Sequence, residues 1–202
     1  MLQTQTVAKD TLALIKRLMA EPRLNDFTLV GGTALALTLG HRNSIDIDLF
    51  TNASFEANAL GKELNATNIR TLKNGVFCFI DNVKIDLITH AYPEVVPHQT
   101  VEGVRMMSLT DIAAMKLHAI VQSGKRLKDF ADIYFMLEHM PLSAMYAAYE
   151  KKYSPDGNTA VARLALNDTS GVNLDDKVHF LDRDFDWPVI KSRLKLAIQS
   201  PQ

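Results

Sequence analysis

Three carboxylates and a pair of glycines carry the chemistry that this chain of 202 residues suggests. Asp46 and Asp48 stand two apart in Ile45-Asp46-Ile47-Asp48-Leu49-Phe50, a strictly alternating segment that reads as a strand. Residues two apart on a strand share a face, so both carboxylates project together while Ile45, Ile47 and Leu49 fill the other side. Aspartate is disfavoured in strands, and like charges side by side need a partner. A hard divalent cation supplies one, since Mg²⁺ takes oxygen ligands from one or two carboxylates and from substrate phosphates. For a lone D-x-D the favoured reading is alternation alone, an amphipathic strand with a solvated acidic face.

Upstream, Gly31-Gly32 follows the short strand Phe27–Val30 and precedes the Ala/Leu-rich segment Thr33–Leu39, which Gly40 terminates. Missing side chains let a phosphate approach the backbone, and a helix N-terminus favours its charge; Thr33 adds a hydroxyl. A bare glycine pair is also an ordinary tight turn. Asp86 lies in the alternating strand Val83–Ile88. If that strand pairs beside 45–50, Asp86 joins the other two. Three clustered carboxylates suit a two-metal site for in-line phosphoryl displacement, the third also able to take a proton from the attacking hydroxyl. Standing alone, Asp86 is an exposed strand residue paired with a lysine. In the turn before the D-x-D, Arg42 offers bidentate phosphate recognition.

The elements around these residues follow from periodicity. Residues 5–20 are helical, stopped at Glu21-Pro22, and 55–64 form a second helix. A meander follows: strands at 69–73, 76–80 and 83–88, joined at Asn74-Gly75 and Asp81-Asn82. Residues 91–103 read as a loop and Val104–Met107 as one more short strand. Beyond Ser108 helices take over, at about 108–122, 126–138, 143–152, 159–167 and 187–199, with 168–186 irregular. The pattern is α+β, with a boundary near residue 107.

Composition narrows the class. An apolar fraction of 47%, a charged fraction of 22% and a net charge of −1 describe an ordinary globular chain without a global basic field. The single cysteine, Cys78, excludes an internal disulfide, fits a reducing compartment and reads as a buried strand residue. Six scattered histidines lack zinc-site spacing. The N-terminus is interrupted by Lys9, Asp10, Lys16 and Arg17, unlike a signal peptide, and no apolar run approaches the roughly 20 residues needed to span a bilayer. A cytoplasmic location is the expectation.

A glycine pair, a helix, D-x-D on a strand and a third Asp on a later strand resemble the minimal nucleotidyltransferase fold of the DNA polymerase β superfamily. The longer string over residues 28–50, Leu29-Val30-Gly31-Gly32-Thr33 through His41-Arg42, Ser44, Asp46 and Asp48, is similar to the AbiEii/AbiGii toxins of type IV toxin–antitoxin and abortive-infection systems. Lys128-Asp129-Phe130-Ala131-Asp132-Ile133 is similar to a K-D-x-x-D-I stretch of that family, and Leu174-Asp175-Asp176 and Asp186-Trp187 are faintly like its C-termini. Superfamily members often carry G-S where this chain has Gly32-Thr33, a change that the toxin family tolerates.

The resemblance implies a mixed sheet flanked by helices over residues 1–107 and a helical region, 108–202, packed on it. It implies Mg²⁺ on Asp46, Asp48 and Asp86, nucleotide on Gly31, Gly32, Thr33, Arg42 and Ser44, and Lys116 on a phosphate or substrate. Asp129 and Asp132 would support Lys116. It further implies transfer of a nucleoside monophosphate from an NTP, with the tRNA 3′ end as acceptor and an antitoxin protein as partner. The residues themselves leave three alternatives open: transfer to a protein hydroxyl, a nucleotide-binding module with little turnover, or a helical region that serves mainly as an interaction surface. Lys116 on an apolar helix is also explained by snorkelling or by pairing with Asp129 or Asp132. The basic run Lys125, Arg126 and Lys128 leaves two readings open, a contact to nucleic acid and, more often for a run this short, a solvated helix start.

Overall fold

The computed structural model describes residues 1–181, 183–184 and 186–200. These divide into two compact units, residues 1–93 with 97–107, and residues 94–96 with 108–200.

In the first unit α1 (Lys9–Ala20) precedes β1 (Thr28–Val30), α2 (Gly31–Leu39) and β2 (Ile47–Thr51). Then come α3 (Ala57–Glu63), β3 (Thr67–Leu72), β4 (Gly75–Ile80), β5 (Val83–Thr89), β6 (Gln99–Val101) and β7 (Val104–Met106). Among the described residues seven strands form one mixed sheet in the order β3-β4-β5-β2-β1-β7-β6. β2 runs parallel to β5 and antiparallel to β1, and β4 pairs antiparallel with both β3 and β5. The α+β class expected from the sequence is the class observed.

Alternation sets the register. Ile47, Leu49, Val76, Cys78, Ile85 and Leu87 are all fully buried on one face, while their neighbours on each strand turn to the other. Burying one side fixes the pairing, because a one-residue slip would expose the entire apolar set. α3 lies against β3: a methyl group added to Gly61 would sit 3.3 Å from Ile69 Cδ1. Arg105 on β7 ties the α1 end of the unit to the sheet. Its guanidinium donates to the carbonyls of Met19 (3.0 Å), Leu24 (2.8 Å) and Phe27 (3.0 Å).

Three details depart from the sequence reading. The strand expected from Ile45 begins at Ile47, and Ile45 is 75% exposed rather than packed beside Ile47 and Leu49. The segment expected as a loop over 91–103 contains β6, a short and mostly exposed strand. Gly75 lies inside β4, where a Cβ would collide with the Leu87 carbonyl and lie 2.7 Å from Ile88 Cδ1. It is glycine because a neighbouring strand approaches closely. The turn at Asp81-Asn82 does use left-handed backbone, with φ of 50° and 63°.

The second unit is helical: α4 (Leu109–Gln122), α5 (Leu127–Met136), α6 (Leu142–Lys152), α7 (Thr159–Asn167) and α8 (Trp187–Gln199). α4 packs against α5, α6 and α7, with Ile112, Leu117, Phe130 and Met145 fully buried. Ser108 caps α4, accepting from the Asp111 N–H at 3.1 Å. Asp111 in turn is fully buried and gathers four donors. They are Lys152 Nζ (2.8 Å), Ser108 Oγ (2.8 Å) and the backbone N–H groups of Val95 (2.9 Å) and Val96 (3.0 Å). Burial pushes this carboxyl up, but those donors outweigh it and hold it below its ordinary value.

Candidate active site

The glycine turn and the carboxylates meet through strand pairing. Val30, the last residue of β1, lies opposite Asp48 on β2, and Asp48 lies opposite Asp86 on β5. In-register neighbours share a face, so Asp48 and Asp86 stand side by side on the sheet face away from the buried apolar set. Gly31 follows Val30 directly and takes a φ of +68°. A Cβ there would overlap Asp48 Oδ2 and lie 3.3 Å from Asp48 Cγ, so the missing side chain is what lets the turn close over this carboxylate. Gly32 makes room differently: its Cβ would lie 2.5 Å from Arg42 Nη2, the end of a long side chain.

Asp46 sits one residue before β2, in a segment held by hydrogen bonds. The Thr33 hydroxyl donates to the Asp46 carbonyl, and Ser44 Oγ lies 2.8 Å from Thr33 Oγ1. Since the single Thr33 proton goes to Asp46, Ser44 donates to Thr33. The Ser44 N–H bonds the Thr6 carbonyl at 2.9 Å. Thr33 is almost fully buried, so its side chain positions Asp46 while its backbone opens α2. Arg42 is 5% exposed, with Nη1 donating to the Asn43 carbonyl at 2.9 Å. It is a buried cation beside Gly32 rather than a solvated turn residue.

Lys84, two residues before Asp86 on the same face of β5, places its ammonium 2.8 Å from Asp86 Oδ2. Partial burial works against its charge. The Asp86 hydrogen bond, with the charges of Asp86, Asp46 and Asp48, more than reverses this and raises the lysine above its ordinary value. All three carboxylates therefore act on one cation. Asp86 Oδ1 is buried without a hydrogen-bond partner. Cys78, one strand away, is buried on the apolar face, its thiol pushed up to about 11 by burial and then by Asp86. It is inert as a nucleophile.

This donor set is all oxygen, and the open Asp86 Oδ1 is the atom that a hard divalent cation would satisfy. Among the described residues no three Asp, Glu, His or Cys side chains are arranged around one ion position as they stand. The Lys84 ammonium occupies the other Asp86 oxygen. Asp48 and Asp86 fit as ligands, with Asp46 adjoining them.

Lys116, Asp129 and Asp132 form a separate cluster inside the second unit. The ammonium is 2.7 Å from Asp129 Oδ1 and 2.7 Å from Asp132 Oδ2, all three side chains being at most 6% exposed. Arg126 Nε adds a contact to Asp129 Oδ2 at 3.4 Å, so two cations balance two carboxylates. Of the tail motifs, Asp186 caps α8 through the Val189 N–H, and Asp176 accepts from Asn173.

A family model for the nucleotidyl transferase AbiEii toxin of type IV toxin–antitoxin systems matches residues 13–86 and 74–193. The chain belongs to this family. It is a nucleotidyltransferase of the AbiEii group, and the glycine turn, the D-x-D and Asp86 all lie within the matched residues. An uncharacterized protein of Aquifex aeolicus (strain VF5) is 32% identical over 139 residues, covering 64% of this chain and 67% of that one. Among solved structures, JHP933 from Helicobacter pylori superposes with a TM-score of 0.56 at 18% identity, over 96% of this chain and 92% of that one. The antibiotic-resistance factor ANT(2″)-Ia gives 0.53 at 19% identity, over 74% and 91%. The same factor, solved in complex with adenylyl-2″-tobramycin, gives 0.54 at 16% identity, over 70% and 96%. At such identities the structural likeness speaks for the fold.

Proposed function

We propose that this AbiEii-family chain transfers a nucleoside monophosphate from an NTP to the 3′ end of tRNA, with Mg²⁺ at the carboxylate row, as the toxin of a cytoplasmic toxin–antitoxin pair. The observation that carries the reading is the register Val30–Asp48–Asp86, which sets the phosphate-type turn beside two adjacent carboxylates. ANT(2″)-Ia, bound to an adenylylated compound in one of its structures, supports nucleotidyl transfer to a hydroxyl on this fold.

The triphosphate lies on the backbone N–H groups of Gly31, Gly32 and Thr33 at the start of α2, with Arg42 beside Gly32 and Ser44 bracing the turn. Asp46, Asp48 and Asp86 would hold the metal, which when bound would supply charge neutralisation at the reacting phosphate. The acceptor hydroxyl oxygen bonds to the α-phosphorus, the bond to the β-phosphate bridge breaks, and pyrophosphate leaves. The hydroxyl proton goes to the carboxylate row, with Asp86 as its acceptor. Lys116, held by Asp129 and Asp132 in the second unit, keeps the phosphate- or substrate-binding role that the family resemblance implies for it. The residues 1–107 form the transfer domain and 108–202 a helical domain.

The test incubates purified protein with Mg²⁺, each α-labelled NTP, total tRNA and cell extract. Label on tRNA is expected, falling to background in the Asp46→Ala, Asp48→Ala double variant. Label on protein would move the acceptor to a protein hydroxyl, and unchanged labelling by the double variant would refute the site. Induced expression is expected to slow growth only with Asp48 intact.

A further inference from the structure

The open face of the sheet continues past Asp86 toward the β3 edge, and what it carries there is unusual for a solvent-facing strand. Following the pairing outward from Asp48, the same transverse row reads Asp86 on β5, Phe77 on β4 and Arg70 on β3. Directly opposite partners share a face, so Arg70 and Phe77 stand in line with the carboxylates. The adjoining row places Phe79 opposite Lys84 and next to Thr67. Phe79 is 36% exposed, Phe77 is half-buried, and Arg70 is exposed. The Lys84 ammonium lies 5.4 Å from the Phe77 ring centroid. α3 covers the other face of β3, through Ile69.

Two aromatic rings lie on the open side of the sheet, flanked by an arginine and a lysine. That combination matches single-stranded nucleic acid, whose bases stack on aromatic faces while cations track the phosphates. Phe77 and Phe79 stand two residues apart on one strand, about 6.8 Å. That is twice the ~3.4 Å repeat of stacked bases. The row also ends at Asp86, one strand spacing, about 4.8 Å, from Phe77.

We propose that Arg70, Phe77 and Phe79 form a stacking shelf that receives the single-stranded end of a nucleic-acid acceptor and leads its terminal hydroxyl to Asp86 and Asp48. The shelf rests on the nucleotidyl-transfer reading above and adds the residues that position the acceptor, none of which touches the NTP. Phe77 and Phe79 take bases, and Arg70, at the edge strand, takes a backbone phosphate.

The test uses the full chain and a fluorescein-labelled RNA hairpin with a four-nucleotide 3′ overhang, beside the same hairpin made blunt. In fluorescence anisotropy the overhang form should bind the wild type more tightly than the blunt form. Phe79→Ala and Arg70→Gln, both surface changes, should each weaken overhang binding about 10-fold, in line with the loss of one stacking or phosphate contact. In transfer assays KM for RNA should rise by a similar factor while kcat and KM for NTP stay unchanged, and Phe79→Trp should restore binding. Equal affinity for both hairpins, or variants within twofold of the wild type, would overturn the shelf even where RNA is labelled. A wild type that labels only protein refutes the acceptor reading and the shelf together. Circular dichroism and urea midpoints confirm that the variants are folded.

Discussion

Gly31 and Gly32 are adjacent and look alike in sequence, yet the structure gives them different tolerances, which a pair of alanine variants separates. At Gly31 an alanine must adopt φ near +68°, a left-handed conformation costing about 1–2 kcal/mol for a residue with a Cβ. Its methyl would also overlap Asp48 Oδ2, forcing that carboxylate off its rotamer for about a further 0.5–1.5 kcal/mol. The sum, about 1.5–3.5 kcal/mol, should appear as a lower urea midpoint with an unchanged m-value. Because the methyl displaces an acidic site group, transfer should fall by about 10²-fold, the scale associated with a 1 Å misplacement at a reacting centre. At Gly32 the backbone carries no positive φ, and the obstructing atom is the far end of Arg42. Gly32→Ala should therefore fold with nearly wild-type stability, and its loss should fall on KM for NTP. The measurements are urea unfolding by circular dichroism and initial rates of label transfer against NTP concentration. A Gly31→Ala protein as stable and as active as the wild type would refute the proposed closure of the turn over Asp48. Equal effects at both glycines would refute the distinction between backbone strain and a movable side chain.

Two further outcomes follow from buried polar groups in the second unit. Asp111→Ala takes the carboxylate away from a Lys152 ammonium that is 1% exposed and orphans the Val95 and Val96 N–H groups, so about 3–5 kcal/mol of stability should be lost. Lys152→Met should cost less, because Asp111 keeps three donors, and the double variant should recover part of the loss. Strictly additive urea midpoints would show that the pair is not coupled. His118, stacked on Tyr153 with ring centroids 4.0 Å apart, is lowered below its ordinary value of 6.5 by burial. The unfolded chain then binds the proton first, so its contribution to stability is present above about pH 6.5 and is lost as pH falls toward the folded value. His118→Phe should flatten the stability profile in that window, and an unchanged slope in thermal melts from pH 5 to 7.5 would count against it.

How much of this was legible in the sequence depends on the range of the interaction. Gly31-Gly32 between a strand and a helix and the alternation of 83–88 are local signals, and both appear where their spacing places them; of the alternating stretch 45–50 only 47–50 joins the sheet. Asp86 beside Asp48 needed a strand pairing that the sequence allowed without dictating. Ile45 misled because alternation does not mark where a strand begins; the Thr33–Ser44–Asp46 hydrogen bonds hold that stretch outside the sheet. Lys152 is 41 residues from Asp111, and Arg105 reaches carbonyls 78 to 86 residues away. No periodicity reports such pairs. Lys84 was closer to view, two residues from Asp86 on one face of one strand. Its weight in the site emerges only when β2 brings two more carboxylates to it.

The register of β2 against β5 has a consequence for how the protein comes into being. The two strands are neighbours in the sheet, although α3, β3 and β4 lie between them in the chain. Shifting β5 by a single residue would turn Asp86 into the apolar side and bring Ile85 or Leu87 into the open. The acidic pair therefore exists in one alignment and in none of its neighbours, and no partly aligned sheet is partly active. Ile47, Leu49, Ile85 and Leu87, all fully buried on the apolar face, thus act as a combination lock. Until β5 has docked the acidic pair is incomplete, and a conservative change among those four would read out as the fraction of molecules that are competent, with the rate per competent molecule untouched.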